Sequence, residues 1–265
     1  MTGPAPRVRV LRTAGTNCDA EAVRAFRRAG GEAETVHLGA VLERPALLRE
    51  AAILCFPGGF TYGDDVASGA VFAVKVRTRL LPDLLRAVED GALVLGICNG
   101  FQILVRAGLL PNLGGESSPG EATLGFNDSA RFEDHWVTLE GVSDRSPWLR
   151  RGDLVECPVA HGEGKFVPRD AATLLRLEEA GQVVVRYRMP EGVAPGTHPH
   201  NPNGSAADIA GVCDPTGRVF GLMPHPERNV ETWHHPLATR RPRPDAAGGG
   251  LRVFGNAVRW AREHR

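Results

Sequence analysis

Two rhythms of apolar and polar positions run along the chain. Val8 to Leu11 is a short apolar strand broken by arginine. From Asp19 to Ala29 the spacing turns helical: Ala22, Val23 and Phe26 share a face, Asp19 stands at a capping position, and Gly30-Gly31 ends the run. Ala33 to Leu38 alternates as a second strand. Pro45 to Glu50 predicts a short helix with proline near its start. Ala52 to Phe56 is continuously apolar and is stopped by Pro57-Gly58-Gly59, as expected of a buried parallel strand. Val71 to Glu89 predicts a long helix, Leu93 to Ile97 a further buried strand, and Phe101 to Arg106 a helix ending near Gly108.

This alternation predicts an α/β fold, a mostly parallel open sheet with helices on both faces. The middle of the chain changes character. Arg131 to Leu139, Leu154 to Cys157 and Gln182 to Arg188 read as strands without long helices between them, so an antiparallel extension of the sheet is expected. Asp208 to Cys213 and Arg218 to Leu222 flank Asp214-Pro215-Thr216-Gly217 and predict a hairpin. Residues 240 to 250, rich in Arg, Pro and Gly, predict a loop, and Leu251 to Glu263 a closing helix.

Composition narrows the functional classes. The 265 residues are 42% hydrophobic and 23% charged with zero formal net charge, which suits an ordinary globular protein. A neutral balance gives no bulk attraction to nucleic acid or to an anionic membrane. No apolar run is long enough for a transmembrane helix, and the first residues lack the apolar core of a secretory signal. Cys18, Cys55, Cys98, Cys157 and Cys213 are scattered and form no C-x-x-C, so neither a disulfide framework nor a zinc knuckle is expected, and a cytoplasmic location fits. The pairs His198/His200 and His234/His235 lack a third ligand of suitable spacing, so no metal site is expected.

One cysteine differs from the rest. Gly96-Ile97-Cys98-Asn99-Gly100 places it where a buried strand turns sharply into a helix, the cysteine form of a nucleophile elbow. The flanking glycines allow the close backbone approach such a turn requires. Free amides at the helix start favour a thiolate, and the amide of Asn99 can donate to an oxyanion. A thiolate nucleophile needs an acid/base partner. His225 lies between prolines in Met223-Pro224-His225-Pro226-Glu227, and Glu227, two residues on in an extended segment, would face the same way and orient the imidazole. Gly58 and Gly59 follow a buried strand at its ligand-binding end, where exposed amides can supply a second oxyanion donor.

Together these elements resemble the class I (triad) glutamine amidotransferases, whose core is flavodoxin-like. The resemblance extends through Ala14 to Asp19, Pro57 to Asp65, Gly96 to Gln102, Asn127 to Trp136, Pro158 to Gly164, Asn201 to Ser205 and Gly221 to Arg228. It points to the glutaminase component of phosphoribosylformylglycinamidine synthase, from purine biosynthesis. The Gly63-Asp64-Asp65 and Asn201 to Ser205 runs single out that member. Ser129-Ala130-Arg131-Phe132-Glu133 departs slightly, with Ala130 where the family commonly has glycine.

The resemblance implies Cys98 as nucleophile, His225 as general acid/base and Glu227 as its orienting partner. It implies oxyanion donors at Asn99 and the Gly58-Gly59 turn, and contacts to glutamine from Gln102 and His161, with Glu163 close by. It implies one amidotransferase domain over residues 1–265 with a C-terminal extension over 236–265, where Arg240, Arg241 and Arg243 either touch a partner or stay solvated. No cofactor is implied on this chain. The sequence has no Walker-type phosphate loop. ATP and Mg2+ are expected on a separate synthetase subunit, with a small accessory subunit as a further partner. A free-standing amidase and a non-catalytic binding subunit on the same fold are the alternatives, because fold and triad serve several functions.

Overall fold

The computed structural model describes residues 3–115, 117, 119–240 and 248–264. The first half alternates as the pattern predicts. Strand β1 (Arg7–Arg12) leads into α1 (Asp19–Arg28), and β2 (Glu32–His37) runs directly into α2 (Leu38–Glu43) and α3 (Ala46–Arg49). Then come β3 (Ile53–Phe56), α4 (Ala70–Lys75), α5 (Leu81–Glu89), β4 (Leu93–Ile97) and α6 (Asn99–Arg106). The second half holds β5 (Ala122–Phe126), β6 (Glu133–Gly141), β7 (Leu154–His161), β8 (Glu163–Pro168), α7 (Ala171–Glu179) and β9 (Val183–Tyr187). The hairpin β10 (Ile209–Cys213) and β11 (Val219–Leu222) and the closing helix α8 (Leu251–His264) complete the chain.

Nine strands form one sheet in the order β2-β1-β3-β4-β11-β10-β9-β6-β7. The pairs from β2 to β11 are parallel and those from β11 to β7 antiparallel. Strands β5 and β8 form a separate two-stranded sheet. The parallel half has the doubly wound order of flavodoxin-like proteins, in which right-handed crossovers place α1 on one face and the helices from α2 to α6 on the other. Helix α8 closes the first face against α1, where Phe26 and Phe254 meet edge-on at 4.9 Å. The predicted antiparallel extension is present.

Local details differ from the sequence reading for identifiable reasons. Asp19 does not cap α1. Cys18 holds that position, and Asp19 is the first helical residue, paired with Arg12 at 3.3 Å. The single helix predicted over Val71 to Glu89 contains a wide π turn at Val76–Leu80, just before Pro82, which has no N–H to continue the regular ladder. Helix α7 interrupts the middle region, where no long helix was expected. Asp170 caps it by accepting from the Thr173 amide at 2.7 Å. Within the predicted 240–250 loop, residues 241–247, including Arg241 and Arg243, lie outside the described residues. No helix among those described is long and apolar enough to cross a membrane.

Candidate active site

The parallel order makes β1, β3, β4 and β11 consecutive neighbours, and their carboxyl ends converge. Four antiparallel reversals beyond β11 bring the end of β7 to the same edge. Cys98 follows β4 directly. Its backbone sits at φ 51°, ψ −108°, a conformation costly for a residue with a Cβ, and Asn99 opens α6 immediately after it. The flanking glycines explain how the turn closes. A Cβ on Gly100 would fall inside the Phe56 carbonyl, and one on Gly96 would come within 2.8 Å of the Gly100 backbone. The Cys98 amide donates to Leu222 O at the end of β11 (2.8 Å), and its Sγ lies 3.8 Å from Ala160 O on β7.

His225 stands just past β11, with its amide on Pro158 O at 2.8 Å. Its Nδ1 meets Glu227 Oε1 at 2.6 Å, and both side chains are buried. The pairing runs through a tight 3-10 turn, Pro226–Arg228, rather than the extended segment expected from the two-residue spacing. Burial works against protonation of His225, but the Glu227 carboxylate, and then Cys98, hold its pKa well above the ordinary imidazole range.

The loop after β3 is fastened to the elbow. Asn99 is fully buried; its Oδ1 accepts from Thr61 Oγ1 (2.7 Å) and its Nδ2 donates to Asp64 Oδ1 (3.0 Å). This gives the first aspartate of the Gly-Asp-Asp run a function that sequence reasoning did not find. The Gly58 carbonyl accepts from the amides of Asn17 and Cys18 at 3.4 and 3.2 Å. In a trans peptide the following N–H points the other way, so the Gly59 amide faces away from that loop.

Gln102 is brought to the site, but both ends of its amide are engaged. Oε1 accepts from Asn99 Nδ2 (3.1 Å), and Nε2 donates to Glu163 O (2.6 Å). Glu163 itself pairs with Arg106 at 3.7 Å. His161, at the end of β7, is 3% exposed. Asn127 Nδ2 donates to the carbonyls of Arg131 and His161, which fixes its Oδ1 as an acceptor for His161 Nδ1 at 3.1 Å. That bond makes Nδ1 the protonated nitrogen. Nε2 carries the lone pair, with no partner among the described residues. Burial, then the nearby His225, lowers the His161 pKa to about 3.

Two neighbours of the triad were missed. Cys18 Sγ lies 4.0 Å from His225 Nδ1 and accepts from Arg228 Nη2 at 3.1 Å. The Asn17-Cys18-Asp19 run was visible in the sequence, yet nothing local linked it to a site more than 200 positions away. The histidine pairs do other work. His198 bonds Glu133 Oε2 at 3.2 Å, His235 Nε2 lies 3.6 Å from Glu156, and His234 Nδ1 accepts from the Val230 amide at 3.3 Å.

The fold and the buried Cys-His-Glu geometry define a class, and comparison with known families agrees: residues 5–261 match the CobB/CobQ-like glutamine amidotransferase domain. Among curated relatives, the phosphoribosylformylglycinamidine synthase subunit PurQ of Dehalococcoides mccartyi is 43% identical over 96% of this chain and 97% of its own length. The PurQ of Archaeoglobus fulgidus is 42% identical over 84% and 87%. The chain belongs to the PurQ family. A chain in the structure of PurLQS from Thermotoga maritima superposes with a TM-score of 0.71 at 32% identity, covering 97% of this chain and 99% of that one. A glutamine amidotransferase from Thermotoga maritima, 19% identical with a TM-score of 0.54 over 98% and 99% of the two chains, shares the fold.

Proposed function

We propose that this chain is the glutaminase subunit of phosphoribosylformylglycinamidine synthase, acting in the cytoplasm as one amidotransferase domain. Cys98 is the nucleophile, His225 the acid/base and Glu227 the group that orients and charges His225. The observation that carries this reading is the Cys98 elbow beside the 2.6 Å His225–Glu227 pair, in a chain of the PurQ family.

The Cys98 thiolate attacks the side-chain amide carbon of glutamine. A C–S bond forms and the carbonyl oxygen takes the negative charge. Asn99 N–H, unpaired within the helix as its first residue, and Gly59 N–H are the donors to that oxygen. Collapse breaks the C–N bond while His225 Nε2 gives its proton to the departing nitrogen, leaving a γ-glutamyl thioester and ammonia. Water attacks the thioester, His225 takes its proton, and the C–S bond breaks to release glutamate and restore the Cys98 thiolate beside a protonated His225. The bare Nε2 of His161 offers glutamine a fixed acceptor, and Gln102 braces the Glu163 backbone beside it.

This chain needs no cofactor for these steps. The ATP-dependent chemistry, with ATP and Mg2+, belongs to a synthetase subunit that receives the ammonia, with a small accessory subunit as a further partner. Cys98→Ala tests the assignment. In the complex it should abolish glutamine-dependent amidine formation, by at least about a thousandfold, while formation supported by added ammonia persists. Loss of both activities in a folded variant would refute the role.

A further inference from the structure

The mechanism above leaves Cys18 and Arg228 without a task, although both touch the triad. Glu227 spends one oxygen on His225. Its other oxygen, Oε2, is buried and has no hydrogen-bond partner among the described residues. The adjacent residue, Arg228, carries a half-buried guanidinium that feels the Glu227 charge. An arginine beside a bare carboxylate oxygen ordinarily closes an ion pair with it. Here Nη2 donates instead to Cys18 Sγ at 3.1 Å. The sulfur is itself fixed, since its S–H donates to Asn17 Oδ1 at 3.2 Å. It also lies under Gly58, where an added Cβ would stand 3.2 Å from Sγ and 2.7 Å from the His225 ring.

We propose that Cys18 is a positioning residue whose sulfur holds the Arg228 guanidinium away from Glu227, so that the carboxylate acts undivided on His225. This rests on the triad reading of the previous section. Without the sulfur, Arg228 turns to Oε2, draws the carboxylate from the imidazole and weakens its hold on the proton of His225. The ligand atoms of Cys18, His225 and Glu227 lie within 4.8 Å of one another, the spacing of a metal cluster. A cation there would have to displace both the guanidinium and the His225–Glu227 bond, so the arrangement suits an electrostatic brace instead.

The other titratable neighbours are Cys98, His161, Cys55 and Cys157. Cys98 faces His225 from the elbow. His161, lowered to about 3, stays neutral in the working range. Cys55 on β3 and Cys157 on β7 face Glu227, and burial first, then the Glu227 charge, pushes their thiols well above the usual range.

The test compares Cys18→Ala, Cys18→Ser, Arg228→Met and the double variant Cys18→Ala/Arg228→Met. One readout is glutamine kcat/KM in the complex. The other is the pH dependence of Cys98 alkylation by iodoacetamide in the same complex, followed by peptide mass. Cys18→Ala should lose about tenfold in kcat/KM, and the upper limb of its alkylation profile should move down by about one pH unit. Removing the intruding cation should rescue it, so the double variant falls within about threefold of Arg228→Met alone. Cys18→Ser keeps an acceptor for Arg228 and should lose less than Cys18→Ala. Additive losses in the double variant, or an unshifted profile in Cys18→Ala, overturn the proposal while a fast-reacting wild-type Cys98 keeps the triad reading intact. A wild-type Cys98 no faster than a free thiol overturns both.

Discussion

His161 should make the fold acid-sensitive in a window that can be calculated. Its imidazole is 3% exposed, and its pKa falls from 6.5 to about 3 because burial, then His225, disfavours the charged form. The unfolded chain therefore binds a proton below about pH 6.5 that the native chain refuses. Stability from this residue is complete above about pH 6.5 and is lost as the pH falls toward about 3. A fall from 6.5 to about 3 corresponds to a total on the order of 5 kcal/mol, of which roughly half is gone by about pH 4.5. His225 works in the opposite window. Its raised pKa stabilises the fold fully below about 6.5, and that contribution fades as the pH rises through the folded value. His161→Phe keeps a ring over Gly164 and removes the titration. Urea unfolding of both proteins, followed by the fluorescence of the buried Trp148, should show the wild type losing about 2–3 kcal/mol more than the variant between about pH 7.5 and 4.5. Parallel stability curves would refute the buried, neutral His161.

Three other outcomes follow from the same geometry. Glu227→Gln removes the charge that raises His225, so the upper limb of the Cys98 alkylation profile should fall by one pH unit or more, with glutamine kcat/KM down about tenfold to a hundredfold. Gly100→Ala drives a methyl into the Phe56 carbonyl, and thermal melting should reveal destabilisation of at least about 3 kcal/mol or failure to fold; a near-native melt would contradict the elbow packing. Asp64→Ala removes an acceptor of Asn99 Nδ2 and of the Gly69 amide, and proteolysis should cut the 60–69 loop faster while glutamine KM rises severalfold.

The sequence made the parallel half legible because β3 and β4 are continuous apolar runs, β2 alternates, and the α1 helix has one apolar face. Cys98 was legible for a local reason, since glycines two residues before and after a strand-ending cysteine leave the room that a sharp strand-to-helix turn needs. His225 and Glu227 were found through spacing and resemblance, although a 3-10 turn, not an extended strand, brings them together. Helix α2 was missed because it starts at Leu38 with no residue between it and β2, its first turn capped by the His37 ring, which accepts from the Gly39 amide at 3.1 Å. Helix α7 was missed despite the Asp170 cap because its apolar stripe is narrow, with Thr173 and Leu177 its buried residues. Strands β5 and β8 lie more than 30 positions apart and pair only with each other, so no local pattern announces them. Cys18 and Arg228 depend on the meeting of two distant loops, which no periodicity encodes.

The central claim is that this chain makes ammonia from glutamine for a partner. The direct measurement is glutamate release from glutamine by the chain alone, and then with its synthetase subunit, substrate and ATP. The account predicts little release alone and strong stimulation in the loaded complex. Equal release in both would contradict it and mark a free-standing amidase, and silence in both would contradict the assigned chemistry.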